Sequence, residues 1–167
     1  MKRTKIAIDP LTGDGLDEAI RAVEELQNNL EVKVVEFLDR LTETGVHVAD
    51  VMFSTAQYDG PRDVTVRFEN RGDFTRAVVA TGETALILEF GAGVTLGYGH
   101  PEAAEHGMGP ATYPGQVHAE DPRGWYLPKA AGGGHTYGNP PAGAMHGASR
   151  EIEIEFERIA REVFGSA

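Results

Sequence analysis

Residues 63–90 read DVTVRFENRGDFTRAVVATGETALILEF, and this stretch decides the fold. Val64, Val66 and Phe68 alternate with Thr65, Arg67 and Glu69, the period-two pattern of a half-buried strand. Asn70-Arg71-Gly72-Asp73 carries turn chemistry, Phe74 to Thr81 reads as the next strand, and Thr81-Gly82 turns the chain again. Thr84 to Phe90 (TALILEF) is expected to be a third, buried strand. Connections this short imply an antiparallel meander. The tripeptide Arg71-Gly72-Asp73 also spells an integrin-binding motif, but the needs of a hairpin turn account for it.

Upstream, Tyr58-Asp59-Gly60-Pro61 is a strong turn signal, and the residues before it are helical in pattern. Thr4 to Ile8 is a short apolar stretch, an edge strand or arm ended by Pro10 and Gly13. Asp14 can cap a helix whose first turn holds Asp17 and Glu18. Leu16, Ile20, Val23, Leu26 and Leu30 follow at helical spacing, and Val34, Leu38, Leu41, Val48 and Met52 continue the pattern. Asn28-Asn29 is a candidate break, and Gly45 weakens a helix by about 1 kcal/mol relative to Ala. One kinked helix or two helices are therefore expected over 14–58, with two preferred. Downstream, Ile152, Phe156, Ile159, Ala160 and Val163 define a closing helix over 149–164, with Ser149 as its N-cap. Ile154 falls off that stripe and is a candidate second contact surface.

The fold class expected is α+β: a small antiparallel sheet of three or four strands, packed by N-terminal helices and a C-terminal helix. At 167 residues the chain suits one domain, 1–167. A net charge of -11 argues against nucleic acid as a direct partner, because phosphate contact needs a basic face. With no Cys there is no disulfide and no thiolate metal ligand. The basic N-terminus lacks the apolar run of a signal peptide, and no window approaches a membrane span, so a soluble protein is expected.

Between the strands and the closing helix lies an irregular excursion over 91–143. It holds thirteen of the 21 Gly, seven of the 9 Pro, four of the 6 His, four of the 5 Tyr and the only Trp. Loops this long are either functional or disordered, and the aromatic content argues for order. His100, His106, His118 and His135 invite a metal reading, with Glu102, Glu105, Glu120 and Asp121 nearby. Their spacings match no ligand frame, and there is no H-E-x-x-H. Gly91-Ala92-Gly93 and Gly97-x-Gly99 lack the third glycine and the helix of a dinucleotide fingerprint. They are better read as positions of positive φ and close backbone approach. No Ser lies in G-x-S-x-G. The aromatics Tyr98, Tyr113, Trp125, Tyr126 and Tyr137 either pin the excursion onto its own domain or offer contact area to a neighbour, and both uses are open.

One ordered string of pieces is distinctive. Glu89 to Thr95 reads EFGAGVT, His106 to His118 reads HGMGPATYPGQVH, Gly124-Trp125-Tyr126 follows, and Gly134 to Pro141 reads GHTYGNPP before the closing helix. Together they resemble the head–tail joining proteins of tailed phages and prophages, also called tail-completion or tail-terminator proteins of siphophages. The likeness runs from about Leu16 onward and is densest between Leu86 and Phe164. It implies a virion structural protein of the neck, assembled in the bacterial cytoplasm, without catalytic residues, metal or cofactor. Such proteins form a ring, typically a hexamer, that caps the tail tube and meets the connector or stopper below the head. Genomic DNA passes through the ring without specific binding. The excursion is then the subunit-interface loop, with Phe90, Gly91, Gly93, Tyr98, Tyr113, Pro114, His118, Trp125, Tyr126, His135 and Tyr137 as its contact candidates. The excursion is longer than in the smallest proteins of this kind. Two other readings stay open: a metal-dependent hydrolase using the His-rich loop, and a prophage binding module for a host protein.

Overall fold

The computed structural model describes residues 14–111, 118, 120–127, 129 and 133–165. Helix α1 spans Asp14–Thr55 without interruption, 42 residues or about 63 Å. The hairpin β1 (Thr65–Gly72) and β2 (Thr75–Thr81) follows, then the short helix α2 (Ala85–Phe90). A 3-10 turn at Ala103–His106 and a two-residue ladder, β3 (Trp125–Tyr126) with β4 (His135–Thr136), lie in the excursion. Helix α3 (Ala144–Gly165) closes the chain. The fold is thus α+β with antiparallel strands between an N-terminal and a C-terminal helix, as the sequence pattern implies. Its four strands make two separate pairs rather than one sheet. No helix among the described residues is long and apolar enough to cross a membrane.

Three sequence expectations are corrected. The two helices expected over 14–58 are one, because neither Asn28-Asn29 nor Gly45 breaks α1. Gly45 sits where α3 and β2 press closest, and a Cβ there would lie 2.7 Å from Ile152 Cδ1 and 2.9 Å from Val78 Cγ2. Packing offsets the poor helix propensity of the glycine. The third strand expected at Thr84–Phe90 is helix α2. Its N-terminus is held by Asp63, whose carboxylate accepts the backbone N–H of Glu83 (2.5 Å) and Thr84 (3.0 Å) and the Thr84 hydroxyl. These bonds hold the Asp63 carboxyl below the usual aspartate range, with the Thr84 hydroxyl the largest cause. Finally, α3 begins at Ala144, so Ser149 lies within it and is not its N-cap.

The hairpin has the expected strands. Phe68 pairs with Val78 and Thr65 with Thr81, with a bulge between Asn70 and Gly72. Arg76 fastens it to α1: its guanidinium donates to Asp39 (2.5 Å) and to the Gly72 carbonyl (2.8 Å), and lies 5.9 Å from the Phe68 ring centroid. Ala49 and Phe53 of α1, Ala56 just after it, Leu88 of α2, and Ala144 and Ala148 of α3 form the main core. A second cluster joins Leu41 to Ile159 and Val163, with Phe37 edge-on to Phe156 at 5.1 Å. Residue numbers along α3 rise as those along α1 fall, so the two helices pack antiparallel.

Candidate functional site

The most organised polar group in the molecule lies where the excursion leaves α2 and returns to α3. Glu89, in the last turn of α2, is buried, and its carboxylate takes three donors. Oε2 accepts the Met145 N–H (2.9 Å), while Oε1 accepts the His146 N–H (3.1 Å) and His100 Nε2 (3.1 Å). Two of these donors are free amides of the first turn of α3, so a residue 56 positions away caps that helix. His100 has a fixed tautomer: its Nδ1 accepts the Glu102 backbone N–H at 3.2 Å, so Nε2 carries the proton. The Glu102 carboxylate in turn accepts from His146 Nδ1 at 3.2 Å. Glu89, His100, Glu102 and His146 therefore form a closed ring of hydrogen bonds joining α2, the start of the excursion and α3.

Aromatic packing reinforces this anchor. The Phe90 ring lies 4.6 Å from His100 and 5.1 Å from His106, and Phe90 is buried with Ala103 and Met108. On the far side, the two ends of the excursion meet backbone to backbone. Ala92 and Asn139 exchange N–H···O bonds of 2.9 and 3.1 Å, and the Asn139 side chain donates to the Ile87 carbonyl at 3.0 Å. Gly93 (φ 85°) and Gly138 (φ 91°) allow this contact, since a Cβ on Gly93 would lie 2.5 Å from the Tyr137 carbonyl oxygen. Positive φ with close backbone approach is the use expected of such glycines.

The contact candidates divide. Phe90, Gly91 and Gly93 are buried within the subunit, where they attach the excursion and are covered from any neighbour. Trp125 is half-buried in β3 with no partner for its Nε1 among the described residues. Tyr98, Tyr126, His135, Tyr137 and His118 are exposed, Tyr126 at 79%. His135 lies between two tyrosines, 5.0 Å from Tyr126 and 4.9 Å from Tyr137, making an outward-facing aromatic row. Tyr113 and Pro114 lie outside the described residues. Beside this row Arg123 donates to both oxygens of Asp121, holding that carboxyl at about 2. Sequence reasoning missed Glu89 and His146 as site residues. Their signal was faint: one acid in an apolar run and one His inside a helix.

A cleft of about 340 Å³ opens beside the anchor, lined by Phe53, Leu86, Phe90, His106, Met145 and His146 among others. Among the described residues no group of three or more His, Asp or Glu side chains is placed to hold a metal ion. Comparison with known proteins adds no name: no family model matches the chain, and no curated protein or solved structure matches it significantly.

Proposed function

We propose that this chain is a structural subunit of a phage head–tail interface, a tail-completion or tail-terminator protein that acts as a homo-oligomeric ring between tail tube and connector. The observation that carries the reading is how the excursion is held. A closed Glu89–His100–Glu102–His146 ring, buried at Glu89 and His100 and half-exposed at Glu102 and His146, fixes its base, and what the excursion then presents is the row Tyr126, His135 and Tyr137. Aromatic rings with a polar edge suit a protein contact. A head-to-tail ring needs two unlike surfaces on each subunit, and an arm pinned at its base supplies one. Glu89 itself is engaged rather than free for acid–base chemistry, because both of its oxygens already accept N–H groups. The motif string of residues 89–141 supports the phage assignment specifically.

The test is co-assembly. The purified chain is mixed with the tail-tube protein encoded beside it and imaged by electron microscopy. Rings at tube ends are expected. Stoichiometric bound zinc with His106 or His118 as ligands, or tubes whose ends stay bare, would overturn the assignment.

A further inference from the structure

Helix α1 carries one apolar seam over 16–41, and α3 covers only part of it. Leu16, Ile20, Val23, Gln27, Leu30, Val34, Phe37 and Leu41 follow one another at steps of four and three, the heptad spacing of a coiled coil. From Phe37 onward α3 packs on this seam, through Phe37 on Phe156 and Phe164 and Leu41 on Ile159 and Val163. Over 16–30 the same seam is bare among the described residues: Leu16 is 57% exposed, Val23 51% and Leu30 54%. With Leu26 beside it, roughly 450 Å² of apolar side chain faces outward, a patch of the size that marks interaction sites.

We infer that the bare half of the seam is the contact between copies of this chain, with the α1 helices side by side and running in the same direction. The inference deepens the ring reading and rests on its homo-oligomeric part. Two observations select this occupant. The seam is continuous with one that already buries a helix, so its geometry is fitted to another helix. The flanks then set the direction. One flank is acidic, Asp17, Glu24 and Glu31; the other is Ala19, Leu26 and Lys33, of which Ala19 is already buried within the chain. Helices running the same way turn opposite flanks to each other, so acids meet Ala, Leu and Lys. Helices running opposite ways turn like flanks together and set the acidic row against itself. Gln27, the one polar seam residue over 16–41, faces its own copy in the parallel register, where two amides can bond each other. In an antiparallel register it would face an aliphatic residue. Copies in a cyclic ring share one direction along the axis, which is the direction the flanks select. Leu26 widens the seam so that one helix can touch two neighbours.

The chain has no native Cys, so single cysteines report the contact in full-length protein. Under mild oxidation Leu16→Cys and Leu30→Cys should each cross-link to its own copy, and a mixture of the two variants should show no preference for the mixed disulfide between positions 16 and 30. The double variant Ile20→Glu/Leu30→Glu, folded by circular dichroism, should fall to the 18.0 kDa monomer in analytical ultracentrifugation. A preferred mixed disulfide, joining position 16 of one copy to position 30 of the next, would overturn the direction. An oligomer that neither cross-links nor responds to Ile20→Glu/Leu30→Glu would overturn the contact and leave the ring reading standing. A wild-type monomer at the highest attainable concentration would also overturn it. Self cross-linking in a chain that never joins tail tubes would uphold the contact while the phage assignment fails.

Discussion

Replacing Glu89 with Ala should loosen both the start of α3 and the base of the excursion. The carboxylate accepts three N–H groups at 2.9–3.1 Å, two of them from the first turn of α3. Loss of a helix N-cap costs about 0.5–2 kcal/mol. A hydrogen bond to a charged group contributes about 1.5–3 kcal/mol, and the three here overlap rather than add. The side chain is only 7% exposed and His100 only 1%, so water restores little of what is lost. A destabilisation of about 3 kcal/mol follows, which in a chain of this length lowers the melting temperature by roughly 6–12 °C. Glu89→Gln should not be a mild substitute. All three neighbours are donors, so the amide NH2 would face a donor wherever it turned. A tautomer change at His100 offers no escape, because Nδ1 must go on accepting from Glu102. Thermal unfolding gives the magnitude, and hydrogen exchange by mass spectrometry gives the location. Faster exchange is expected in peptides covering both 92–108 and 144–150. An unchanged midpoint in Glu89→Ala, or faster exchange in α3 alone, would refute the idea that this carboxylate pins the excursion.

Three further outcomes are expected. Gly45→Ala should destabilise by about 1–2 kcal/mol by overpacking against the stiff Val78 side chain, although Ala is the better helix former; a raised melting temperature would contradict the close crossing. The Asp63 carboxyl has its pKa depressed in the folded chain, so its contribution is complete above the unfolded value of 3.8 and is lost as pH falls through the lower folded value. Asp63→Ala should therefore narrow the stability difference between pH 6 and pH 3, measured by urea unfolding. The Asp121 carboxyl, held at about 2 by Arg123, should titrate by NMR well below an ordinary aspartate, and Arg123→Ala should return it toward 3.8.

What the sequence made legible follows from range. The hairpin over 63–81 could be read because strand alternation and turn chemistry are local, and β1 and β2 lie where the pattern puts them. The run TALILEF could not be resolved, because a short apolar stretch has no period to separate a buried strand from a buried helix turn. The side chain that fixes the residues leading into it is Asp63, 21 residues back. The start of α3 was missed for the same reason: Ser149 is a good local cap, but Glu89 from α2 starts the helix a turn and a half earlier. Gly45 looked like a weakness because its use lies in Ile152 and Val78, which are distant in sequence. In the excursion, the exposed tyrosines were recognisable by type, whereas the Glu89–His146 anchor became visible only once the elements were assembled.

The two surfaces that the ring reading requires are built by different physics, and the difference bears on the order of assembly. The aromatic row is built on the β3–β4 ladder and joined to the base of the excursion by the Ala92–Asn139 backbone bonds, all within one subunit, so it is formed before any neighbour arrives. The bare seam over 16–30 has no such support. A helical segment of about this length is marginal in water without tertiary contacts, and most helix stability comes from packing an apolar face. Residues 34–52 of α1 have that packing from α3, and the segment before them continues the same helix with the same apolar period. Association of copies along the seam would thus stabilise the helix as well as bury it, coupling local folding to oligomer formation. The acidic flank sharpens the coupling, since Asp17, Glu24 and Glu31 repel one another in any arrangement that sets acidic flanks together. Ordered aromatics at one place and a helix completed by association at another would give a subunit two unlike contacts, which is what separates a closed ring from a symmetric dimer.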